Sequence, residues 1–303
     1  MRTAILFPGQ GSQFIGMADP WASHPAGAAV LEAASEALGR SVLAGCRDEE
    51  ALRTTDFLQP ALLACDVAAF RVLQAAGLTD PVGVAGHSLG EFAALVAADA
   101  IVLADALALV LVRGSAMQRA GQERPGAMCA LLGVGADDAE ALCAEARGDD
   151  ELVVANRNSP AQSVVSGSVA AVERLEALAK ERKVRAVRLP VAGAFHSELM
   201  RPAAQPVLDA LVRIDVSDPV FPVAENVTGE LVRDGERLRE LVGQQMVSPV
   251  LWEDGVRNLA GAGAVRFIEA GPGDVLTKLM KRIDPALAAL GVGDPEAAAA
   301  AAA

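Results

Sequence analysis

Residues 82–98 read VGVAGHSLGEFAALVAA, and the fold class follows from this stretch. The apolar run at residues 82–86 predicts a buried strand, and residues 91–98 predict a helix. Between them, GHSLG at residues 86–90 fits the pattern G-x-S-x-G. In this pattern a tight strand-to-helix turn exposes the serine oxygen, and small flanking residues let the backbone turn without a clash. We therefore predict an α/β fold in which Ser88 is a nucleophile.

Short apolar runs and helical periodicity alternate on both sides of this motif. Strands are predicted at residues 4–7 and 265–270, and helices at residues 26–38, 60–76, 104–118 and 275–282. Strands that alternate with helices favour a mainly parallel sheet.

The middle of the chain has a different order of elements, which predicts a separate small domain. Its elements follow the order βαββαβ, at residues 127–134, 137–147, 152–155, 163–166, 169–181 and 184–189. This order is the ferredoxin-like arrangement. We place the small domain at residues 125–190, between two parts of the main domain at 1–124 and 191–288. Residues 289–303 end in seven alanines and are expected to be a low-complexity tail outside the fold.

Composition argues against several classes of protein. With 26 Lys and Arg against 39 Asp and Glu, the net charge of −13 argues against general binding to nucleic acid or to an anionic membrane. The apolar run near the N-terminus is too short for a signal peptide, and outside Ala-rich helix no apolar stretch could span a bilayer. We expect a cytoplasmic protein that does not enter the membrane.

The cysteines and histidines give no sign of a metal site. The four cysteines form no CxxC pair and lie in apolar surroundings, which is typical of buried, reduced thiols. None of the three histidines has a second ligand at the spacing of a zinc motif. We expect no metal.

A serine nucleophile needs a base, and the chain has three histidines. His87 adjoins Ser88 at a turn where successive side chains diverge, and His24 lies in a loop without catalytic neighbours. His196 remains, in a glycine-containing loop just after the small domain, and is the predicted base. The group that orients this base stays open among an acid, an amide and a backbone carbonyl.

Arg113 follows four apolar residues on a predicted helix, and two interpretations of it are open. Its side chain extends along an apolar face to solvent near a helix end. Alternatively, its guanidinium holds a substrate carboxylate through two hydrogen bonds.

Six motifs in a fixed order carry a resemblance to a known family. They are PGQGSQ at residues 8–13, GHSLGE at 86–91, RG at 113–114, NSP at 158–160, FHS at 195–197 and GPG at 271–273. From about residue 3 to 285 the chain resembles the malonyl-CoA:acyl carrier protein transacylases. These include stand-alone enzymes of fatty-acid synthesis and acyltransferase domains of polyketide synthases. The resemblance implies an α/β-hydrolase-like core with a ferredoxin-like insert.

The resemblance also implies an activity and its partners. Such an enzyme takes malonyl from malonyl-CoA, releases coenzyme A, and passes the acyl group to the phosphopantetheine thiol of an acyl carrier protein. The implied cycle is ping-pong, through a malonyl-serine intermediate, and needs no cofactor.

Family roles carry over to matching positions of this chain. These are Ser88 (nucleophile), His196 (base), Gln10 and Leu89 (backbone N–H groups of the oxyanion hole), Arg113 (malonyl carboxylate), Gln245 (main-chain carbonyl that orients the base) and Asn158 (near the acyl and pantetheine channel). Phe195 implies malonyl rather than methylmalonyl, because its ring would crowd an α-methyl branch. Gly193 departs from malonyl-type polyketide domains, which often carry His there, and leaves the choice of acyl-CoA open.

Three other functions are compatible with parts of this pattern. A serine esterase or thioesterase shares the G-x-S-x-G motif and the histidine, and a trans-acting polyketide acyltransferase would use another acyl-CoA, such as methylmalonyl-CoA. A non-catalytic scaffold would only bind carrier proteins. Arg113, the loop at Gln10 and the small domain favour the transferase.

Docking of a carrier protein requires a local positive patch, because carrier proteins are typically acidic and so is this chain. The densest basic stretch contains Lys180, Arg182, Lys183, Arg185 and Arg188, and a second contains Lys278, Lys281 and Arg282. The first stretch is either a solvated helix face or a docking patch. If it is a docking patch, charge reversal at Arg182 and Lys183 is expected to weaken transfer to the carrier.

Overall fold

The computed structural model describes residues 2–191 and 193–303. Within these residues the strands are β1 (Thr3–Phe7), β2 (Gly83–Gly86), β3 (Gly126–Leu132), β4 (Leu152–Ser159), β5 (Gln162–Ser168), β6 (Arg185–Arg188), β7 (Val223–Ala224), β8 (Leu231–Val232), β9 (Arg266–Ala270) and β10 (Ala288–Val292). The helices are α1 (Asp19–Ala22), α2 (Pro25–Leu38), α3 (Val42–Gly45), α4 (Glu49–Leu52), α5 (Thr55–Ala75), α6 (Gly90–Ala97), α7 (Leu103–Glu123), α8 (Ala136–Ala146), α9 (Val169–Glu181), α10 (Arg201–Leu211), α11 (Gly235–Gln244), α12 (Trp252–Gly261), α13 (Val275–Ile283) and α14 (Pro295–Ala302). Two short 3₁₀ turns lie at Glu198–Met200 and Gln245–Val247.

The larger sheet is mainly parallel, as predicted. Strands β10, β9, β1, β2 and β7 run parallel in that order, and β8 pairs antiparallel with β7 at the edge. Every residue of β1 and β2 is buried, as expected for central parallel strands covered on both faces. Phe7 pairs with Gly86, so the loop after β1 and the turn after β2 leave the sheet side by side. Ser88 lies at this edge.

Helix α5 begins at Thr55, before the predicted start at Pro60. Pro60 has no N–H to donate to the carbonyl four residues earlier, and a proline inside a helix costs about 3 kcal/mol. The first turn nevertheless forms because Phe57 and Leu58 are buried in the core. Burial of each such side chain stabilises by about 1.5–3 kcal/mol, which offsets the proline.

Residues 126–188 form a separate antiparallel sheet in the order β4-β5-β3-β6, with α8 and α9 packed against it. The elements follow the predicted order βαββαβ, and this small unit has its own buried cluster of apolar side chains. Strand β4 is longer than predicted, since it continues to Ser159 through two irregularities in its pairing with β5. The extension brings Asn156 and Asn158 to the cleft beside the larger sheet.

The C-terminal residues belong to the fold, contrary to the expectation of a tail outside it. Strand β10 pairs with β9, and α14 packs against α5 with Ala298 and Ala301 buried. Alanine is the strongest helix former, and its small side chain allows this close approach. The side chain of Asp294 accepts the N–H of Ala297 and caps the helix. No helix within residues 2–191 and 193–303 is long and apolar enough to cross a membrane.

Candidate active site

The turn that carries Ser88 joins β2 to α6 in a strained conformation. Ser88 has a φ of 53°, in the left-handed region that non-glycine residues seldom adopt. A Cβ atom on Gly86 would lie 1.9 Å from the backbone of Gly90, and one on Gly90 would lie 2.1 Å from the carbonyl oxygen of Phe7. Close backbone contact therefore requires both glycines of the motif. Asn226 supports the turn, because its Oδ1 accepts the N–H of Ser88 at 2.8 Å.

His196, the histidine left by the elimination of the other two, lies next to Ser88. Its Nε2 is 2.8 Å from Ser88 Oγ, and its Nδ1 is 3.0 Å from the carbonyl oxygen of Gln245 and 3.1 Å from that of Ser248. Carbonyl oxygens only accept, so the proton of the neutral ring lies on Nδ1 and Nε2 is free to accept the serine proton. Two main-chain carbonyls thus orient the His196 ring. Every residue has a carbonyl, so no sequence signal could have identified Ser248.

Burial keeps His196 neutral. The pKa of His196 falls to about 3, first because burial disfavours the charged ring and then because Arg113 is positively charged. A neutral imidazole is the form that can accept the proton of Ser88 Oγ.

Arg113 is buried in the middle of α7, so the interpretation of a side chain reaching solvent at a helix end is wrong. Its Nη2 donates to Ser88 Oγ at 3.0 Å and to Gln245 Oε1 at 2.9 Å, and its Nη1 donates to Gln59 Oε1 at 2.8 Å. Its Nε has no partner, and no carboxylate forms an ion pair with it, among residues 2–191 and 193–303. Burial lowers the pKa of Arg113 to about 10, and the nearby Glu91 opposes this shift. The guanidinium remains charged at neutral pH.

No sequence signal identified Gln59, Glu91 or Asn226 as parts of the site. Glu91 immediately follows the G-x-S-x-G motif and is 1% exposed. Such complete burial is unusual for an acidic side chain. Burial, and then the charge of Glu225, raise the pKa of Glu91 to about 8. Hydrogen bonds from Asn226 and Gln245 and the charge of Arg113 act in the opposite direction. Gln59 and Asn226 lie far from Ser88 in sequence and have no local motif.

A cavity of about 90 Å³ lies against Ser88 and His196. The other predicted residues that line it are Gln10, Leu89, Arg113 and Phe195. The backbone N–H groups of Gln10 and Leu89 have no acceptor in the part of the chain that the structure describes. Arg113 places a buried positive charge against this small cavity.

A second cavity, of about 240 Å³, shares residues with the first and lies between the larger sheet and the small unit. Asn158 lines this outer cavity, and its Oδ1 is 2.8 Å from Nε2 of His87. The His87 ring lies 5.4 Å from the ring of Trp252. His87 therefore bonds to Asn158 on the wall of the outer cavity, and its exclusion as the base stays a prediction.

The predicted basic stretch is partly neutralised by ion pairs. Arg182 pairs with Glu145, and Arg188 pairs with Glu176. Within the described residues, Lys180, Lys183 and Arg185 have no such partner. Strand β6 is followed directly by Leu189, Pro190 and Val191, which line the outer cavity. The unpaired cations thus lie close in sequence to the cavity wall.

The second basic stretch lies on α13, which contributes Val275, Leu276 and Leu279 to the same cavity. Lys278 pairs with Asp274, and Arg282 donates to Gln162 on the cavity wall.

All four cysteines are free and buried, as predicted. Among residues 2–191 and 193–303, no cluster of His, Cys, Asp and Glu side chains could hold a metal ion.

Comparison with known proteins identifies the family. The model of the acyl transferase domain matches residues 5–286. A malonyl CoA-acyl carrier protein transacylase of Bacillus subtilis is 40% identical over 300 residues, which are 97% of this chain and 94% of the relative. The chain belongs to the malonyl-CoA:acyl carrier protein transacylase family.

Solved structures of this transacylase family agree with the fold. An acyl-carrier-protein S-malonyltransferase of Burkholderia pseudomallei has a TM-score of 0.95 and 40% identity, over 100% of this chain and 99% of its own. A malonyl-transacylase solved in complex with its type II PKS acyl-carrier protein has a TM-score of 0.94 and 38% identity, over 98% of each chain. The protein is an acyltransferase.

Proposed function

We propose that this acyltransferase moves a malonyl group from malonyl-CoA to the phosphopantetheine thiol of an acyl carrier protein. The observation that best supports this function is the buried Arg113, which lies 3.0 Å from Ser88 Oγ and has no carboxylate partner among the described residues. A buried cation costs free energy unless an anion pairs with it. The free carboxylate of a malonyl group on Ser88 supplies that anion, and the names of the relatives support malonyl and a carrier protein as substrates.

The proposed architecture is an α/β-hydrolase-like main domain, residues 1–124 and 191–288, with a ferredoxin-like small domain at residues 125–190. A nucleophile on the turn after a parallel strand supports the first description. The antiparallel order β4-β5-β3-β6 on a βαββαβ chain supports the second. Because β10 joins the larger sheet and α14 packs against α5 and β10, we add residues 289–303 to the main domain.

In the first half-reaction Ser88 Oγ attacks the thioester carbonyl of malonyl-CoA, and His196 Nε2 accepts the serine proton. The carbonyls of Gln245 and Ser248 hold the proton on Nδ1 and stabilise the imidazolium that forms. The N–H groups of Gln10 and Leu89 bind the oxyanion, and loss of one such donor costs about 3–4 kcal/mol. The carbon–sulfur bond then breaks, and His196 returns the proton to the departing coenzyme A sulfur.

In the second half-reaction the carrier thiol gives its proton to His196 and its sulfur attacks the malonyl ester. The bond to Ser88 Oγ breaks, and the serine recovers its proton from the imidazolium. Both thiols enter through the outer cavity, where Asn158 and His87 form part of the wall. The substrates therefore bind in turn at one site, which is the ping-pong cycle.

Phe195 supports malonyl as the acyl group. Its ring lines the inner cavity, and a Cβ atom on Gly193 would lie 2.8 Å from ring atom Cε1. A side chain at position 193 would therefore contact this ring, so the choice of acyl-CoA depends on both positions. With glycine there, the ring stays in the cavity and crowds an α-methyl branch.

The experiment that tests this function weighs the intact protein after exposure to malonyl-CoA, methylmalonyl-CoA and acetyl-CoA. We expect one malonyl group on the wild type, and none on Ser88→Ala, which loses only a hydroxyl. The isolated malonyl-enzyme should persist in water and transfer its acyl group when a carrier protein is added. Rapid loss without a thiol would identify a thioesterase, and the absence of any acyl-enzyme would point to a scaffold.

A further inference from the structure

Glu91 is buried one residue after the catalytic turn, and both of its carboxylate oxygens accept hydrogen bonds. Oε1 accepts the backbone N–H of Asn226 at 2.8 Å, and Oε2 accepts the side-chain amide of Gln245. Both neighbours donate, and an ionised carboxylate offers an acceptor at each of its two oxygens. Glu91 therefore connects two residues that are close to the reacting atoms without itself lining the cavity around Ser88.

Each of these two residues holds part of the machinery. Asn226 accepts the N–H of Ser88 and donates to the carbonyl of Gly86, so it spans the strained turn. Gln245 donates from Nε2 to the carbonyl of Ser88 at 2.9 Å and accepts Arg113 Nη2 on Oε1 at 2.9 Å.

The direction in which the Gln245 amide points matters most for Arg113. A primary amide has one oxygen and one NH₂ group, and Arg113 can only donate, so it requires the oxygen. Above its pKa of about 8, Glu91 is a carboxylate that can only accept, so it attracts the NH₂ group. Glu91, together with the carbonyl of Ser88, thus holds the orientation in which Gln245 offers its oxygen to Arg113.

We propose that Glu91 is a positioning residue that sets the preference for a malonyl group by orienting Gln245 and, through it, the guanidinium of Arg113. The inference rests on the proposed function, since the malonyl carboxylate is the anion that Arg113 binds. Glu91 acts without touching the substrate.

The variant Glu91→Gln tests this role because it keeps the shape of the side chain and replaces one acceptor by a donor. The donor cannot face the backbone N–H of Asn226, which has no alternative orientation. It faces Nε2 of Gln245, so two donors oppose each other and the amide is displaced from the position in which it accepts from Arg113 and donates to the carbonyl of Ser88. Arg113 loses this acceptor, and a hydrogen bond from a charged donor corresponds to roughly 10- to 100-fold in an equilibrium or rate.

The measurement is the single-turnover rate of Ser88 acylation by malonyl-CoA and by acetyl-CoA at pH 9, where Glu91 is ionised, with labelling by a small neutral sulfonyl fluoride as a third readout. In Glu91→Gln we expect the ratio of the malonyl rate to the acetyl rate to fall roughly 10- to 100-fold. Acetyl transfer and sulfonyl fluoride labelling depend on Ser88 and His196 but not on a carboxylate, and should fall much less.

Glu269→Gln is the matched control. Glu269 is 1% exposed, and its two oxygens accept the N–H groups of Leu276 and Thr277, so the substitution makes the same chemical change away from Ser88. We expect lower thermal stability and an unchanged malonyl-to-acetyl ratio. If Glu91→Gln does not fold, Gln245→Leu removes the amide and keeps the carbonyl that binds His196. It should lower the same ratio.

The outcomes separate this inference from the proposed function. A wild type that prefers malonyl, with an unchanged ratio in Glu91→Gln or Gln245→Leu, would overturn the positioning role alone. Equal loss with both acyl-CoAs in Glu91→Gln would also overturn it, since a merely structural acid gives that result. A wild type that accepts acetyl but not malonyl would refute the proposed function and the inference together.

Discussion

Replacement of Arg113 by alanine should exchange substrate preference instead of abolishing activity. The guanidinium donates three hydrogen bonds, and its removal leaves a malonyl carboxylate buried beside Ser88 without a cation. Truncation of one partner of a buried charge pair costs about 2–5 kcal/mol, so malonyl transfer should fall about 30-fold to several thousandfold. Acetyl has no carboxylate and should lose little or even gain.

The charge of Arg113 also acts on the base, and the assay must separate this effect. Arg113 lowers the pKa of His196, so its removal raises that pKa from about 3 toward the ordinary value. At pH 8 the imidazole is neutral in both proteins, and single-turnover acylation at that pH compares the acyl groups alone.

Arg119→Ala is the control for this experiment, because Arg119 is an exposed arginine on the same helix α7. It should leave both rates unchanged. If malonyl and acetyl transfer fall by the same factor in Arg113→Ala, Arg113 is structural and the carboxylate clamp is wrong.

Three other predictions concern the base, a buried acid and the carrier. His196→Ala should slow both half-reactions about 10²- to 10⁴-fold, measured by acylation and by thiol transfer; an unchanged rate would exclude His196 as the base. Burial, and then the charge of Glu269, raises the pKa of Asp66, so the folded state binds this proton more tightly than the unfolded state. The stability that Asp66 contributes is complete below its ordinary pKa and is lost as pH rises through the folded pKa. The melting temperature of Asp66→Asn should therefore change less between pH 5 and pH 8 than that of the wild type, and an equal change would contradict this. Replacement of both Lys183 and Arg185 by Glu should slow transfer to a carrier protein, mainly through a lower association rate, and should not change transfer to free pantetheine. Equal effects on both acceptors would mean that the basic stretch is a solvated face and not a docking patch.

The sequence by itself determined the local chemistry around Ser88. A strand, two glycines and a helix in immediate succession specify the turn, because the close contacts involve residues near one another in the chain or on the adjacent strand. The elimination of His24 and His87 led to His196 since the chain has three histidines. The βαββαβ order likewise follows from patterns that each extend over a few residues.

Only the tertiary structure decided how distant residues meet at this turn. The bond between Ser88 and Asn226 spans 138 positions in the sequence, and that between Arg113 and Gln245 spans 132. No local pattern encodes such contacts. The burial of Arg113 was undecided for the same reason, because apolar neighbours on one helix do not reveal what covers its other face.

The C-terminal alanines show the same limit. Their composition gives a helix but not a partner, and α14 packs on α5 because β10 first joins the edge of the sheet and leads the chain back over that helix. Composition sets what a segment can become, whereas the surface available beside it decides whether it packs.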